Sequence, residues 1–325
     1  MVGAISAAVI PTIIYSLIIW WLDRYEKEPI MLILAAFFWG AIPAIVLAVL
    51  FELVFSIPIE QSPLGPNAAN WGLAPAIEEG LKAIALAGLF LLARSEFDGP
   101  LDGIVYGALI GFGFSMTENT LYFLSYGDVG NLFWVRSVLF GINHGFFTSI
   151  VGLAFGAVRY ERSPRLRILT ILGGLLLAIL FHAAHNFLTT AFLAAGMFFS
   201  WLVQSCGVLV VLAVAVLSWR KELRWLQNEL CDEVQVGTID LEDYRAVTSS
   251  VRRLRREIQA LSSGGVVRFR HMRHLHYSIT ELAFCKSKQR MADRYQDCDS
   301  IERLRREIPA IRQHLERTSG VWAWF

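Results

Sequence analysis

Residues 168–194 read ILTILGGLLLAILFHAAHNFLTTAFLA, an apolar run without Asp, Glu, Lys or Arg. A helix of about 20 mostly apolar residues crosses the ~30 Å hydrocarbon core of a bilayer, so this run is long enough to span a membrane. Six further stretches that are mostly apolar and long enough to cross a bilayer lie near residues 4–22, 30–55, 71–93, 101–125, 132–158 and 199–218. The sequence therefore predicts an all-α fold, a polytopic membrane bundle of about seven transmembrane helices.

The composition separates this bundle from the rest of the chain. Of the 325 residues 55% are hydrophobic and 18% are charged, whereas a soluble domain has roughly 45–50% apolar residues and about 25% charged ones. This excess excludes an ordinary soluble enzyme. Residues 1–218 hold 9 Lys/Arg and 13 Asp/Glu, and residues 219–325 hold 20 and 15. We therefore expect a membrane domain over 1–218 and a soluble helical C-terminal tail over 219–325.

The charge of the connecting loops predicts the orientation in the membrane. Loops 23–29, 94–100 and 159–167 and the first residues of the tail contain Lys or Arg, whereas loops 56–70, 126–131 and 195–200 contain none. Excess Lys and Arg marks cytoplasmic loops. We therefore expect a multi-pass protein of the cytoplasmic membrane with its N-terminus outside and its tail in the cytosol. Arg136, near an outer end, is the one exception.

The tail has the pattern of a small helical bundle. Apolar residues recur at spacings of three and four over 241–261 and again over 301–315, which is typical of amphipathic helices. Residues 253–258 and 303–308 share the hexapeptide RLRREI. Binding to anionic lipid or to a cytosolic partner stays open as a further role of the tail. Nucleic acid is not an expected partner, because acidic residues alternate with the basic ones.

Polar side chains inside the predicted spans mark a single functional site. A charged residue near the bilayer centre is costly and usually faces the interior of the bundle. With a rise of ~1.5 Å per residue, Glu78 and Glu118 lie about 10 Å from the outer ends of their spans, and His144 and His182 about 18 Å from the same side. Four spans thus bring two carboxylates and two imidazoles to overlapping depths.

This set of groups favours hydrolytic chemistry. Carboxylates and imidazoles can bind a divalent ion, accept a proton from its water and stabilise an oxyanion. Glu78 and Lys82 have the i,i+4 spacing of a helix ion pair, and His182 and Asn186 share a helix face. A proton-coupled transporter would also use buried Glu and His, and a non-catalytic scaffold would use them for interhelical hydrogen bonds.

The glycines of span 101–125 predict close helix contacts.

The order of these motifs resembles a known family. Glu78-Glu79-x-x-Lys82, Gly111-Phe-x-Phe-x-x-x-Glu118-Asn119, Asn143-His144 and His182-x-x-x-Asn186 are similar to the motifs of PrsW-type intramembrane proteases. That family belongs with the CAAX prenyl endopeptidases and the Abi proteins. Residues 23–29, DRYEKEP, also resemble the family's first loop. The resemblance covers roughly residues 15–190 and does not include the tail.

The resemblance implies a protease that cuts a membrane protein or peptide within or beside the lipid bilayer. Glu78 is then the candidate general base, with Glu79 and Lys82 beside it. Glu118 takes the position of a His in the prenyl endopeptidases.

The resemblance also assigns the remaining motif residues. His144 follows Glu118, and His182 and Asn186 match a pair that steadies the carbonyl oxyanion. If the water is bound to a metal such as Zn²⁺, the candidate ligands are Glu118, His144 and His182. The bacterial branch implies anti-sigma factors as a substrate class, and His185 lies outside the motif.

Overall fold

The computed structural model describes residues 1–22, 28–61, 67–94, 96–127, 129–292 and 298–319. Nearly all of these residues are helical, and no strand occurs among them. They form two compact units, one reaching Ser218 and one beginning at Trp219. The first-loop residues 23–27 of the family resemblance lie outside the described part of the chain.

The described residues of the first unit form nine helices and three π-helical turns. The helices are α1 (Val2–Leu22), α2 (Ile30–Trp39), α3 (Ile45–Glu60), α4 (Ala74–Leu92), α5 (Pro100–Tyr126), α6 (Val129–Leu132), α7 (Asn143–Ala157), α8 (Pro164–Ala191) and the first part of α9 (Leu193–Val236). The π-helical turns are Gly40–Ala44, Ala69–Leu73 and Phe133–Leu139.

The predicted class of fold is confirmed, a helical membrane bundle. Five helical stretches among the described residues are long and apolar enough to cross a membrane: Val2–Leu22, Ile30–Glu60, Val129–Ala157, Pro164–Ala191 and Leu193–Val236. Helices α4 and α5 are not among the five because they carry acidic and other polar residues along their length. The count of seven spans therefore stays a prediction.

Helix α5 forms the centre of the bundle. All residues from Leu101 to Ser115 are buried, so its polar groups face protein. Gly103, Gly107 and Gly111 contact the backbone of α7 so closely that an added Cβ would lie within 2.5 Å of a carbonyl oxygen. Small residues at every fourth position allow helices to approach in this way. The predicted role of the glycines in this span is confirmed.

Two predicted spans are interrupted, and these interruptions shape the site. Span 30–55 contains the π-helical turn Gly40–Ala44, in which Pro43 has no N–H for the α-helical ladder. Span 132–158 contains a π-helical turn followed by a break after Phe140, and α7 restarts at Asn143. The expected loop 195–200 is wrong, because α9 already begins at Leu193. Apolar periodicity gives no sign of such interruptions.

The second unit contains the end of α9, α10 (Leu241–Val247), α11 (Ser250–Ala292) and α12 (Cys298–Ser319). Helix α11 is broken at Gly264–Gly265, and Gly265 has a φ of 65°, which favours glycine. Burial alone would raise the pKa of Glu233, but hydrogen bonds from Arg305 and Lys286 lower it below its ordinary value. The carboxylate therefore stays ionised in the core of this unit.

The two RLRREI copies have different environments. Leu304 and Ile308 of the second copy are buried in the core of the tail. Leu254 and Ile258 of the first copy are more than half exposed, because that copy turns its polar side inward. Arg256 of this copy forms an ion pair with the buried Asp243. Most of the apolar positions of 241–261 are therefore exposed, although their spacing is that of an amphipathic helix.

Candidate active site

Three charged side chains lie within one turn of α4, inside the bundle. Glu78 is 9% exposed at its side chain, whereas Glu79 and Lys82 are completely buried. Lys82 Nζ lies 3.3 Å from Glu78 Oε2 and 2.8 Å from Glu79 Oε1. The structure therefore contains the predicted i,i+4 pair together with a shorter i,i+3 pair. Inside a membrane bundle, unpaired charge is costly, and here one ammonium group compensates part of the charge of both carboxylates.

His144, the second residue of α7, joins this group from a neighbouring helix. Its Nδ1 atom lies 3.1 Å from Lys82 Nζ and 3.8 Å from Glu78 Oε2. Its Nε2 atom lies 2.9 Å from Glu118 Oε2 on α5. One neutral tautomer satisfies both short contacts, since Nδ1 then accepts from the ammonium and Nε2–H donates to Glu118. The imidazole thus connects α4, α5 and α7.

His182 joins the group from α8. Its Nδ1 atom lies 3.1 Å from Glu79 Oε1, and its ring stacks on Phe147 at 4.9 Å and meets His144 edge-on at 5.1 Å. Thr148 Oγ1 donates to Glu79 Oε2 at 3.2 Å. Glu79 thus accepts from three different side chains. This pairing orients the His182 ring, as a carboxylate partner does for metal-binding histidines.

The two adjacent glutamates have different surroundings. A cavity of about 310 Å³ is bounded by α3, α4, α5, α7 and α8, and its wall includes Glu78, Glu118, His144 and His182. Among the described residues that form this wall, Glu79 does not occur. The cavity is large enough for water. Glu78 is therefore the carboxylate of the pair that can meet a ligand, while Glu79 is enclosed by its donors.

Arg136 was expected only as an exception to the loop charges, and the structure explains its position. Its Nη2 atom lies 2.8 Å from Glu118 Oε2, and its Nε donates to Asn119 Oδ1 at 2.8 Å. The guanidinium carbon lies 3.6 Å from the centre of the Tyr122 ring. Arg136 is thus the counter-charge of a site carboxylate. The sequence offered one sign of this contact, because the predicted topology places Arg136 and the end of α5 at the same side of the membrane.

Asn186 and His185 lie in the cavity wall but outside the contact group around Lys82. Asn186 Nδ2 donates to the carbonyl oxygen of Asn70 at 3.0 Å. His185 Nδ1 lies 2.7 Å from Ser200 Oγ and 3.4 Å from Asn143 Nδ2. The structure thus brings Glu78, Glu79, Glu118, His144 and His182 into direct contacts, with Asn186 in the same cavity.

Glu52 is a further acidic residue in the cavity wall, and it lies outside all the motifs predicted to form the site. It lies on α3 between strongly apolar neighbours and is half-buried. No hydrogen bond or ion pair of its side chain occurs within the described part of the chain. The available signal was a single acidic residue inside the apolar run 45–59.

The donor set suits a divalent metal. Glu78, Glu79, His144 and His182 each offer one ligand atom within 4.8 Å of the others, and all four residues are buried. Carboxylate oxygens and imidazole nitrogens are the ligands that Zn²⁺ takes in catalytic sites. Lys82 Nζ already contacts three of these residues, so an ion and the ammonium group would compete for the same donors.

A helical membrane bundle with a buried centre of carboxylates and imidazoles has the features of a membrane-embedded hydrolase. The family described as "PrsW family intramembrane metalloprotease" matches residues 28–219. Protease PrsW of Geobacillus kaustophilus is 31% identical over 51% of this chain and 71% of its own. Protease PrsW of Bacillus subtilis is 30% identical over 59% of this chain and 84% of its own. That of Shouchella clausii is 28% identical over 59% and 86%.

The chain belongs to the PrsW family of intramembrane metalloproteases. The family predicted from the motifs is thereby confirmed, and the comparisons favour the protease over the transporter and the scaffold. No solved structure matches the chain. The family match ends at residue 219 and does not include the tail.

Proposed function

We propose that the chain is an endopeptidase that hydrolyses peptide bonds of membrane-associated protein substrates in the cavity beside Glu78. The observation that carries this proposal is the position of Glu78, whose carboxylate faces the cavity while Lys82 and His144 contact it. The membership of the PrsW family supports it.

In the proposed reaction, Glu78 is the general base. A water molecule in the cavity transfers a proton to the Glu78 carboxylate while its oxygen attacks the substrate carbonyl carbon. Protonated Glu78 then donates this proton to the leaving amine as the C–N bond breaks. Lys82 holds the carboxylate in position at 3.3 Å, and Glu118 holds His144 at 2.9 Å.

We assign the stabilisation of the oxyanion to His182 and Asn186. Because His182 Nδ1 faces Glu79, its Nε2 atom is left for a ligand, and no hydrogen bond of Nε2 occurs among the described residues. As an imidazolium, His182 donates from Nε2 to the oxyanion while Glu79 compensates its charge. Asn186 contributes an amide to the same cavity wall.

We further propose that the divalent ion of this site is Zn²⁺. His144 is a candidate ligand, with a carboxylate from the Glu78–Glu79 pair or from Glu118 in the same cavity wall. His182 would be a further ligand only as a neutral imidazole through Nε2, and the ion and Asn186 would then take over the stabilisation of the oxyanion. When bound, Zn²⁺ would supply an activated water and polarise the substrate carbonyl. The buried group of two carboxylates and two imidazoles supports this assignment.

The function and its metal are tested together with purified full-length protein in lipid vesicles. We expect it to cut a synthetic single-span peptide, to lose this activity after treatment with a chelator, and to regain it with Zn²⁺. An unchanged rate after chelation would contradict the metal assignment alone. Failure to cut any single-span peptide or membrane-anchored anti-sigma factor, the proposed substrate class, would contradict the protease.

We propose that the protein spans the cytoplasmic membrane with its N-terminus outside, and that residues 219–325 form a cytosolic domain. The charges of loops 23–29, 56–70, 94–100, 126–131 and 159–167 support this orientation. Arg136 no longer counts against it, because it forms an ion pair with Glu118. Contact with anionic lipid or a cytosolic partner remains the proposed role of the tail.

This orientation predicts the labelling of two single cysteines in a cysteine-free variant. Gln61 and Ser262 are both exposed, one after α3 and one in the tail. An impermeant thiol reagent added to intact cells should label the cysteine at Gln61→Cys and leave Ser262→Cys unlabelled until the membrane is opened. Labelling of both cysteines in intact cells would contradict the topology.

A further inference from the structure

Glu52 lies in the wall of the same cavity as Glu78. Helix α3 turns one face to this cavity, formed by Ile45, Ala48, Val49 and Glu52. Ala48 and Val49 lie three and four residues after Ile45, and Glu52 lies four and three residues after them, so the apolar part of the face leads along the helix to the carboxylate. The part of the cavity wall formed by α3 therefore combines an apolar surface with one acidic group, Glu52, at its end.

The other carboxylates of the site have counter-charges. Glu78 and Glu79 pair with Lys82, and Glu118 pairs with Arg136. No basic side chain of the described residues forms an ion pair with Glu52. A carboxylate that is half-buried in a membrane bundle gains more from a cation than one in water, because the surrounding dielectric constant is low. A cationic group of a ligand would supply the counter-charge that Glu52 lacks among the described residues.

We propose that Glu52 selects substrates that carry a Lys or Arg side chain close to the cleaved peptide bond. This inference rests on the proposed function. The methylene stem of such a side chain would lie along Ile45, Ala48 and Val49, and its charged end would meet the Glu52 carboxylate. With the basic side chain held there, the neighbouring peptide bond is placed in the cavity of Glu78.

The test uses full-length protein in vesicles and a series of single-span peptides in which one Lys is moved residue by residue. A matched series carries Met instead, which has a similar length and no charge. The wild-type protein should cut a Lys peptide about 10- to 100-fold more efficiently than its Met counterpart, the range of a hydrogen bond to a charged group. Mass spectrometry should show that the cleaved bond moves with the Lys.

The Glu52→Gln variant should lose the preference for Lys mainly through a higher KM, and its cleavage site should no longer follow the Lys. Its kcat/KM for the Met peptides should fall much less than its kcat/KM for the Lys peptides. Glu60→Gln, at the exposed end of the same helix, is the matched control and should keep the preference. Glu52→Arg should reverse the preference toward peptides with Glu at the moved position.

Equal cleavage of Lys and Met peptides by the wild-type protein would overturn the inference without any variant. An equal loss of kcat on both series in Glu52→Gln would also overturn it, because Glu52 would then take part in the chemistry. If no peptide is cut, the proposed function fails by itself. Binding of labelled Lys and Met peptides then decides the selectivity, and equal affinities would overturn it.

Discussion

Replacing Glu78 by glutamine is expected to lower the rate of peptide-bond hydrolysis by about 10²–10⁴-fold, the usual contribution of a positioned general base. Glutamine keeps the shape of the side chain but cannot accept the proton of the attacking water. The bundle should stay folded, because Lys82 keeps its shorter pair with Glu79 at 2.8 Å. Cleavage of a single-span peptide by the purified variant in vesicles measures the effect.

The matched control is Glu60→Gln at the end of α3, which removes an acidic group of the same type outside the cavity wall. It should cut at the wild-type rate. The helix content and the thermal midpoint of both variants should match those of the wild-type protein. A folded Glu78→Gln variant with nearly wild-type activity would contradict the role of Glu78 as the base.

Replacing His182 by alanine is expected to lower the rate by about 10²–10³-fold, the usual effect of losing one oxyanion donor. The variant removes the imidazole that faces the cavity, while Glu79 keeps its contacts with Lys82 and Thr148. Asn186→Ala should have a smaller effect, since Asn186 also donates to the carbonyl of Asn70.

His185→Ala is the internal comparison for His182, because both residues lie on α8 and in the same cavity wall. His185 is held by Ser200 and Asn143, outside the contact group of the glutamates. Its loss should change kcat by less than that of His182. Equal losses in the two variants, or a larger loss in Asn186→Ala, would refute the assignment of the oxyanion site.

The sequence predicted which residues form this site, but it did not predict the contacts between them. Glu78, Glu118, His144 and His182 were found because charged and imidazole groups stand out in apolar spans and because a rise per residue converts position into depth. Their pairing could not be read in the same way. That Glu118 meets His144 and Arg136 together depends on how α5, α7 and the π-helical turn Phe133–Leu139 pack, which no local pattern contains.

The same limit explains Glu52 and the tail. Glu52 lies in a run so apolar that its single charge has little weight in any average over the span. In the tail, the identical segments 253–258 and 303–308 have opposite exposures, because the partners of each copy and not its own sequence decide which side is buried. The glycines of α5 were more informative, since close helix approach depends on the absence of a side chain.

The most direct test of the account is the fate of water oxygen during cleavage. Full-length protein in vesicles is incubated with a single-span peptide in ¹⁸O-labelled water, and the masses of the fragments are measured by mass spectrometry. We expect two fragments from one cut, with one ¹⁸O atom in the new carboxyl group. In Glu78→Gln the labelled fragments should form at least about 100-fold more slowly. Labelled fragments formed by folded Glu78→Gln at the wild-type rate would contradict the claim that this carboxylate activates the water.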